Sequence, residues 1–128
     1  MERLKDMIDP LVLFKALMDE TRLRCLVLMV CEGELCVCEL GYALGMIQPK
    51  ISRHLALLRQ SGMVQDRRRG HWVHYDIHPD LPPWAWTILR ATAEGATAME
   101  PFLDDRARLQ TMADRPGRCA NSGYEVQL

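Results

Sequence analysis

Between Glu34 and Gly62 the chain reads ELCVCELGYALGMIQPKISRHLALLRQSG, two short helical stretches with almost nothing between them. The first runs roughly from Cys36 to Leu44, and Gly45 stops it as a C-cap residue does. Pro49 suits the first turn of the second, where a missing N–H costs nothing, and that helix continues to about Gln60. The junction Gly45-Met46-Ile47-Gln48 is as short as a helix-turn-helix needs, so the two helices must cross closely. Ile51, Leu55 and Leu58 form the buried stripe of the second helix, leaving Gln48, Lys50, Ser52, Arg53, His54 and Arg59 for its other faces.

The flanks complete the fold. Leu11, Phe14, Leu17 and Met18 mark one face of a helix over Pro10 to Met18, and Asp19 reads as the N-cap of ETRLRCLVLMVCE, which Gly33 ends. After Ser61-Gly62 the period changes. Met63 to Arg69 and His71 to Ile77 are rich in β-formers, with Arg69-Gly70 placed as a hairpin turn. Pro79, Pro82 and Pro83 precede a helix from Trp84 to about Met99, with Trp84, Ile88, Leu89 and Ala96 available to pack, and Pro101 opens a further turn or two through Met112. These elements predict a mainly α protein with a two-stranded β-wing, a winged helix-turn-helix over residues 1–113, followed by a flexible C-terminal tail over 114–128.

A chain of 128 residues makes one domain. The N-terminus has no apolar signal core and no run is long enough to span a membrane, so a cytoplasmic location is expected. The net charge of −1 conceals an asymmetry: residues 47–75 hold six basic side chains against Asp66 alone, a surplus of +5 that leaves −6 elsewhere. A cationic face on an acidic body suits phosphate binding. No Gly-rich phosphate loop, paired catalytic carboxylates or βαβ alternation supports an enzyme.

Five cysteines in a reducing compartment favour a metal or redox role over a disulfide framework. Cys36 and Cys38 carry the strongest chemical signal, since thiolates select soft ions and a helix N-terminus lowers thiol pKa. On a regular helix they point about 200° apart, so both can grip one ion only if the first turn distorts. A charged Glu39 beside them argues against simple core packing. Cys25, on the apolar face of its helix, reads as a small hydrophobe.

DETRLR at 19–24, ELCVCEL at 34–40, QPKISRHLALLRQSG at 48–62 and DRRRGHWVHY at 66–75 resemble the arsenical-resistance repressors of the ArsR/SmtB family, in family order and spacing over about residues 10 to 90. The resemblance implies a homodimeric repressor that binds double-stranded operator DNA and releases it on binding As(III) or Sb(III), with no permanent cofactor. It implies dimer contacts from the first and last helices, Lys5 to Met18 and Trp84 to about Met112.

Two departures stand out. Many arsenic-sensing members have a third cysteine shortly after the pair, where this chain has Gly41 and Tyr42. The third thiolate is then Cys31, which closes the shorter loop, or Cys119, or it is absent, and a methylated trivalent arsenical needing two thiols becomes a natural ligand. Relatives also carry Ser before the Gln-Pro pair, where Ile47 is a poor cap. The resemblance extends to cadmium and lead sensors, but their further thiolates come from an N-terminal extension and residues 1–24 here hold no cysteine. Zinc and nickel sensors use His on the last helix, and Trp84 to Met112 contains none. A thiol-redox sensor of the same fold is the remaining alternative.

For DNA, Gln48, Ser52 and Arg53 share a face suited to base edges in the major groove. Lys50 and His54 flank them toward phosphates, and Arg67, Arg68, Arg69 and His71 of the wing would follow the neighbouring backbone or minor groove. Of the remaining histidines, alternation sets His74 on the strand face opposite His71. His71, His74 and His78 are expected at the surface or near DNA rather than as a ligand cluster.

Overall fold

The computed structural model describes residues 8–113 and Arg115. They form α1 (Pro10–Leu17), α2 (Glu20–Glu32), β1 (Leu35–Cys36), α3 (Val37–Leu44), α4 (Gln48–Gln60), β2 (Val64–Arg69), β3 (Trp72–Ile77), α5 (Pro83–Ala96) and α6 (Phe102–Thr111). Aspartates start the first two helices: Asp9 Oδ1 accepts the Val12 N–H at 2.9 Å and Asp19 Oδ1 that of Arg22 at 3.0 Å. Each satisfies one of the orphan donors of a helix start. Gly33 at φ 84° and Gly45 at φ 69° end α2 and α3 in backbone conformations that favour glycine.

α2 is the hub. It touches every other helix and β3, and Cys25, Leu26, Leu28 and Met29 carry its face of the core. Ile51, Leu55 and Leu58 of α4 are fully buried against it, as their spacing predicts. On α1 the core is reached by Leu13 and Ala16 instead. The face of Leu11, Phe14 and Met18 is turned to solvent, with exposures of 76%, 53% and 81%.

The wing differs from expectation in three respects. It has a third strand: β1 pairs antiparallel with β3, so the strand order is β1-β3-β2. Two residues have no periodicity to read, and the sequence merges β1 into the start of α3. Second, Arg69 pairs with Trp72, so the two-residue turn is Gly70-His71, with Gly70 at φ 61°. Third, His74 is not at the surface. It lies on the middle strand opposite Cys36 on one side and Arg67 on the other, 1% exposed, with Nε2 lacking a partner among the described residues.

The C-terminal part is more ordered than its weak periodicity suggests. α5 ends at Ala96, with Leu89 and Ala96 inward and Trp84 exposed. α6 is a ten-residue helix lying across α2 and α3. Arg24 on α2 donates to both oxygens of the buried Asp105, at 2.9 and 2.7 Å, and to the Leu44 carbonyl at 3.3 Å. Arg108 donates to the Ala43 carbonyl at 2.7 Å, and Tyr42 and Thr111 share a hydrogen bond of 3.0 Å. The bonds from Arg24 and Arg108 satisfy the Leu44 and Ala43 carbonyls at the end of α3. Of the expected tail, residue 114 and residues 116–128 lie outside the described residues, and Arg115 is buried.

Candidate functional site

Cys36 is the N-cap of α3, in extended conformation, rather than its first helical residue. The difference matters because cap and helix geometry set the two thiols differently from the 200° of a regular helix. Its N–H donates to Glu39 Oε1 at 2.9 Å while its side chain receives the Glu39 N–H, a capping box with sulfur in place of a hydroxyl oxygen. The thiol is buried, and burial pushes it up to about 12. Desolvation thus outweighs the helix start, which would have lowered it. Cys38, one residue into α3, is only half-buried and opens onto a cleft of about 560 Å³ lined also by Gly41, Tyr42, Met46, Ile47, Gln48 and Met112.

Glu39 is fully buried. One oxygen holds the Cys36 N–H and the other accepts from Arg115 Nε at 2.8 Å. The charge that argued against core packing is therefore matched inside the core, so the sequence argument from Glu39 fails. A Cys-x-x-Glu capping pattern was present in the sequence as a signal, whereas nothing local points to Arg115, 76 residues on.

Where a third cysteine is expected, Tyr42 is exposed and Gly41 is buried at a close approach. A Cβ at Gly41 would lie 3.0 Å from the Met46 carbonyl oxygen and 3.6 Å from Gln48 Cγ. A side chain there would require the turn between α3 and α4 to give by a few tenths of an ångström. Of the other cysteines, Cys25 is sealed in the core, its thiol also pushed by burial to about 12. Cys31 packs with Leu23, Val27, Val30, Ala93, Ala96 and Phe102 between α2 and α5. Cys119 lies outside the described residues. Among the described residues no three His, Cys, Asp or Glu side chains are already disposed around one metal position.

The second half of the site is the face of α4. Gln48, Ser52 and Arg53 are exposed and Lys50 half-exposed. Gln48 Nε2 donates to Cys38 Sγ at 3.4 Å, so the first residue of α4 touches the thiol. His54 is set back. It lies 3.4 Å from Arg22 and 3.9 Å from Asp19, and burial holds its imidazole below the usual value. Ile47 gives α4 no side-chain cap, and the Lys50 and Ile51 N–H groups instead share the Ile47 carbonyl at 3.2 and 3.3 Å.

On the wing, Arg68 and His71 are exposed, and Arg68 makes no ion pair among the described residues. Arg67 and Arg69 are engaged. Glu34 lies 3.6 Å from Arg67 and 3.1 Å from Arg69, and Asp76 adds a 3.3 Å contact to Arg67. Glu34, two residues before Cys36, went unnoticed in the sequence because its partners lie about 35 residues away.

A basic recognition helix beside a charged wing, set on a helical hub, defines a winged helix-turn-helix DNA-binding protein. Residues 19–66 match the family described as bacterial regulatory protein, arsR family. The chain is 51% identical to the arsenic resistance transcriptional regulator ArsR2 of Pseudomonas putida over 113 residues, covering 88% of this chain and 96% of that protein. It is 58% identical over 80 residues to the arsenical resistance operon repressor of Escherichia coli K12, covering 62% and 68%. Among solved structures, that of the AntR antimony-specific transcriptional repressor superposes with a TM-score of 0.56 at 33% identity, over 70% of this chain and 80% of that one. The chain belongs to the ArsR family of bacterial transcriptional regulators, and it is a regulator rather than an enzyme. Among the described residues no helix is long and apolar enough to cross a membrane.

Proposed function

We propose that this protein is a metalloid-responsive repressor whose homodimer holds operator DNA when its thiols are free and releases it when trivalent arsenic or antimony binds at Cys36 and Cys38. The observation that carries this reading is the position of the two thiols, one capping the helix that supports α4 and the other in contact with the first residue of α4. The names of its relatives, arsenic-resistance regulators and an antimony-specific repressor, support the class of inducer.

The chemistry suits the donors. Thiolates are soft ligands for a thiophilic centre. A metalloid hydroxide exchanges its hydroxyl groups for sulfur, and each thiol proton leaves in the water formed. Burial raises the Cys36 thiol pKa to about 12 in the free protein, so its proton must be given up as the bond to the metalloid forms. Binding through Cys36 takes its sulfur from the Glu39 N–H and so opens one arm of the capping box, which distorts the first turn of α3.

Cys119 is the third donor in this reading. Arg115 is seated on Glu39, and the four residues from there to Cys119 reach roughly 14 Å when extended. Cys31, with its own cluster between α2 and α5, serves packing. Operator contacts fall to Gln48, Lys50, Ser52, Arg53, Arg68 and His71, with His54 supporting α4 from behind. The apolar face of α1, together with α5, supplies the dimer seam.

Titrating the purified protein with arsenite and antimonite on an operator fragment, under full reductant, tests the reading. Operator affinity is expected to fall by about tenfold or more, and Cys36→Ser, Cys38→Ser and Cys119→Ser each to blunt the response. Full release from the Cys36→Ser or Cys38→Ser protein would overturn it. So would release by peroxide and not arsenite, which would favour the thiol-redox sensor, or release by Cd(II) alone.

A further inference from the structure

We infer that Gln48 is the positioning residue through which the Cys38 thiol acts on the recognition helix, an inference that rests on the metalloid reading of the Cys36/Cys38 site. Gln48 is the first residue of α4, and its hydrogen bond to Cys38 at 3.4 Å is the one side-chain hydrogen bond between α3 and α4 among the described residues. Gly41 leaves the α3 backbone near its stem, where an added Cβ would stand 3.6 Å from Gln48 Cγ. The hydrogen bond to sulfur is what gives the exposed amide a direction in the free protein.

That direction matters twice. An amide reads a base edge only when its two hydrogen-bonding atoms are aligned with it, so a Gln48 held in place is prepared for DNA. The start of α4 also has few other tethers, since Ile47 supplies no capping side chain. A thiol sulfur is a weak acceptor, and a metalloid bonded to it in the cleft that Gln48 also lines would take the space beside that sulfur and turn the amide out of its present direction. The amide then swings free and the first turn of α4 loses its link to α3. Gln48 thereby reports the state of Cys38 directly to the DNA-reading face, over a path of one hydrogen bond.

The test separates inducer binding from its transmission. Arsenite binding to the free protein is followed by the ultraviolet absorption of arsenic–sulfur bonds, and operator affinity by fluorescence anisotropy with and without saturating arsenite. The ratio of the two operator affinities measures coupling, and for the wild type it should be about tenfold or more. In Gln48→Met, which keeps the length but cannot donate, the coupling ratio should fall to about threefold or less, with arsenite affinity measured alongside so that altered binding is told apart from altered transmission. If that variant binds operator too weakly to measure, Gln48→Asn keeps an amide one methylene short of the thiol and should show the same lost ratio. Loss of a base contact alone would weaken operator binding equally in both states and leave the ratio intact. A wild-type ratio in either variant therefore overturns the inference while leaving the metalloid reading standing. No arsenite response in the wild type would remove the metalloid reading itself, and this inference with it.

Discussion

At Gly41 a single hydrogen in place of a side chain decides how closely the two DNA-positioning helices meet. With the Met46 carbonyl 3.0 Å from where a Cβ would stand, any substitution must push α3 away from the turn that leads into α4. The obstacle is backbone, which gives less readily than a flexible side chain. Gly41→Ala is expected to lower the unfolding free energy by about 1–3 kcal/mol, the usual penalty for overpacking, and to weaken operator binding with it. Urea denaturation alongside anisotropy checks this, and unchanged stability would show that the turn yields. Cys36 makes a related point. The pair Cys36/Cys38 is legible as a soft site from residue type alone, but the high pKa of Cys36 is not. A helix start and a buried cap pull in opposite directions, and only the packed structure says which is larger.

At the scale of elements, β1 connects the thiols to the wing. Its pairing with β3 places Cys36 opposite His74, and Glu34 just before it clasps Arg67 and Arg69. Two of the three wing arginines are thus paired with a carboxylate two residues before Cys36, and a DNA phosphate would have to displace it to reach them. Replacing Glu34 by Gln should release Arg69, while Arg67 keeps Asp76, so operator affinity should rise and the dependence of log K on log salt should steepen by about one. Binding measured between about 50 and 200 mM salt decides the matter; an unchanged slope would mean that Arg69 does not reach phosphate. The period-3.6 stripes of α2 and α4 made those helices readable, and so did Asp19 and Gly33 at the ends of α2 and Pro49 in the first turn of α4. β1 was too short to carry any pattern, and α6 has a weak one, so its existence depends on bonds such as Arg24 to Asp105 that join residues 81 apart.

At the scale of the whole molecule, the exposed stripe of Leu11, Phe14 and Met18 leaves an apolar face uncovered on α1. Large side chains in one exposed row mark an interaction surface, and the proposed dimer seam would cover it. Phe14→Asp is expected to shift the protein from dimer toward monomer in sedimentation velocity and to weaken binding to a two-half-site operator while sparing the fold. A dimer indifferent to that substitution would place the seam elsewhere. The same apolar spacing that identifies α1 as a helix says nothing about whether its stripe faces inward or outward, because both solutions have the same period.

What the sequence determined by itself is local. Helix limits follow from Asp19, Gly33 and Gly45, the recognition helix from Pro49 and its buried stripe, the hairpin from β-formers around Gly70, and the soft-ligand chemistry from Cys36 and Cys38. Each rests on propensity, capping or residue type, all of which act over a few neighbours. Only the tertiary structure decided the burial of Glu39 on Arg115, the third strand, the tightness at Gly41 and the contact between Gln48 and Cys38. Those depend on which distant side chains close packing brings within hydrogen-bond range, and no local pattern records that.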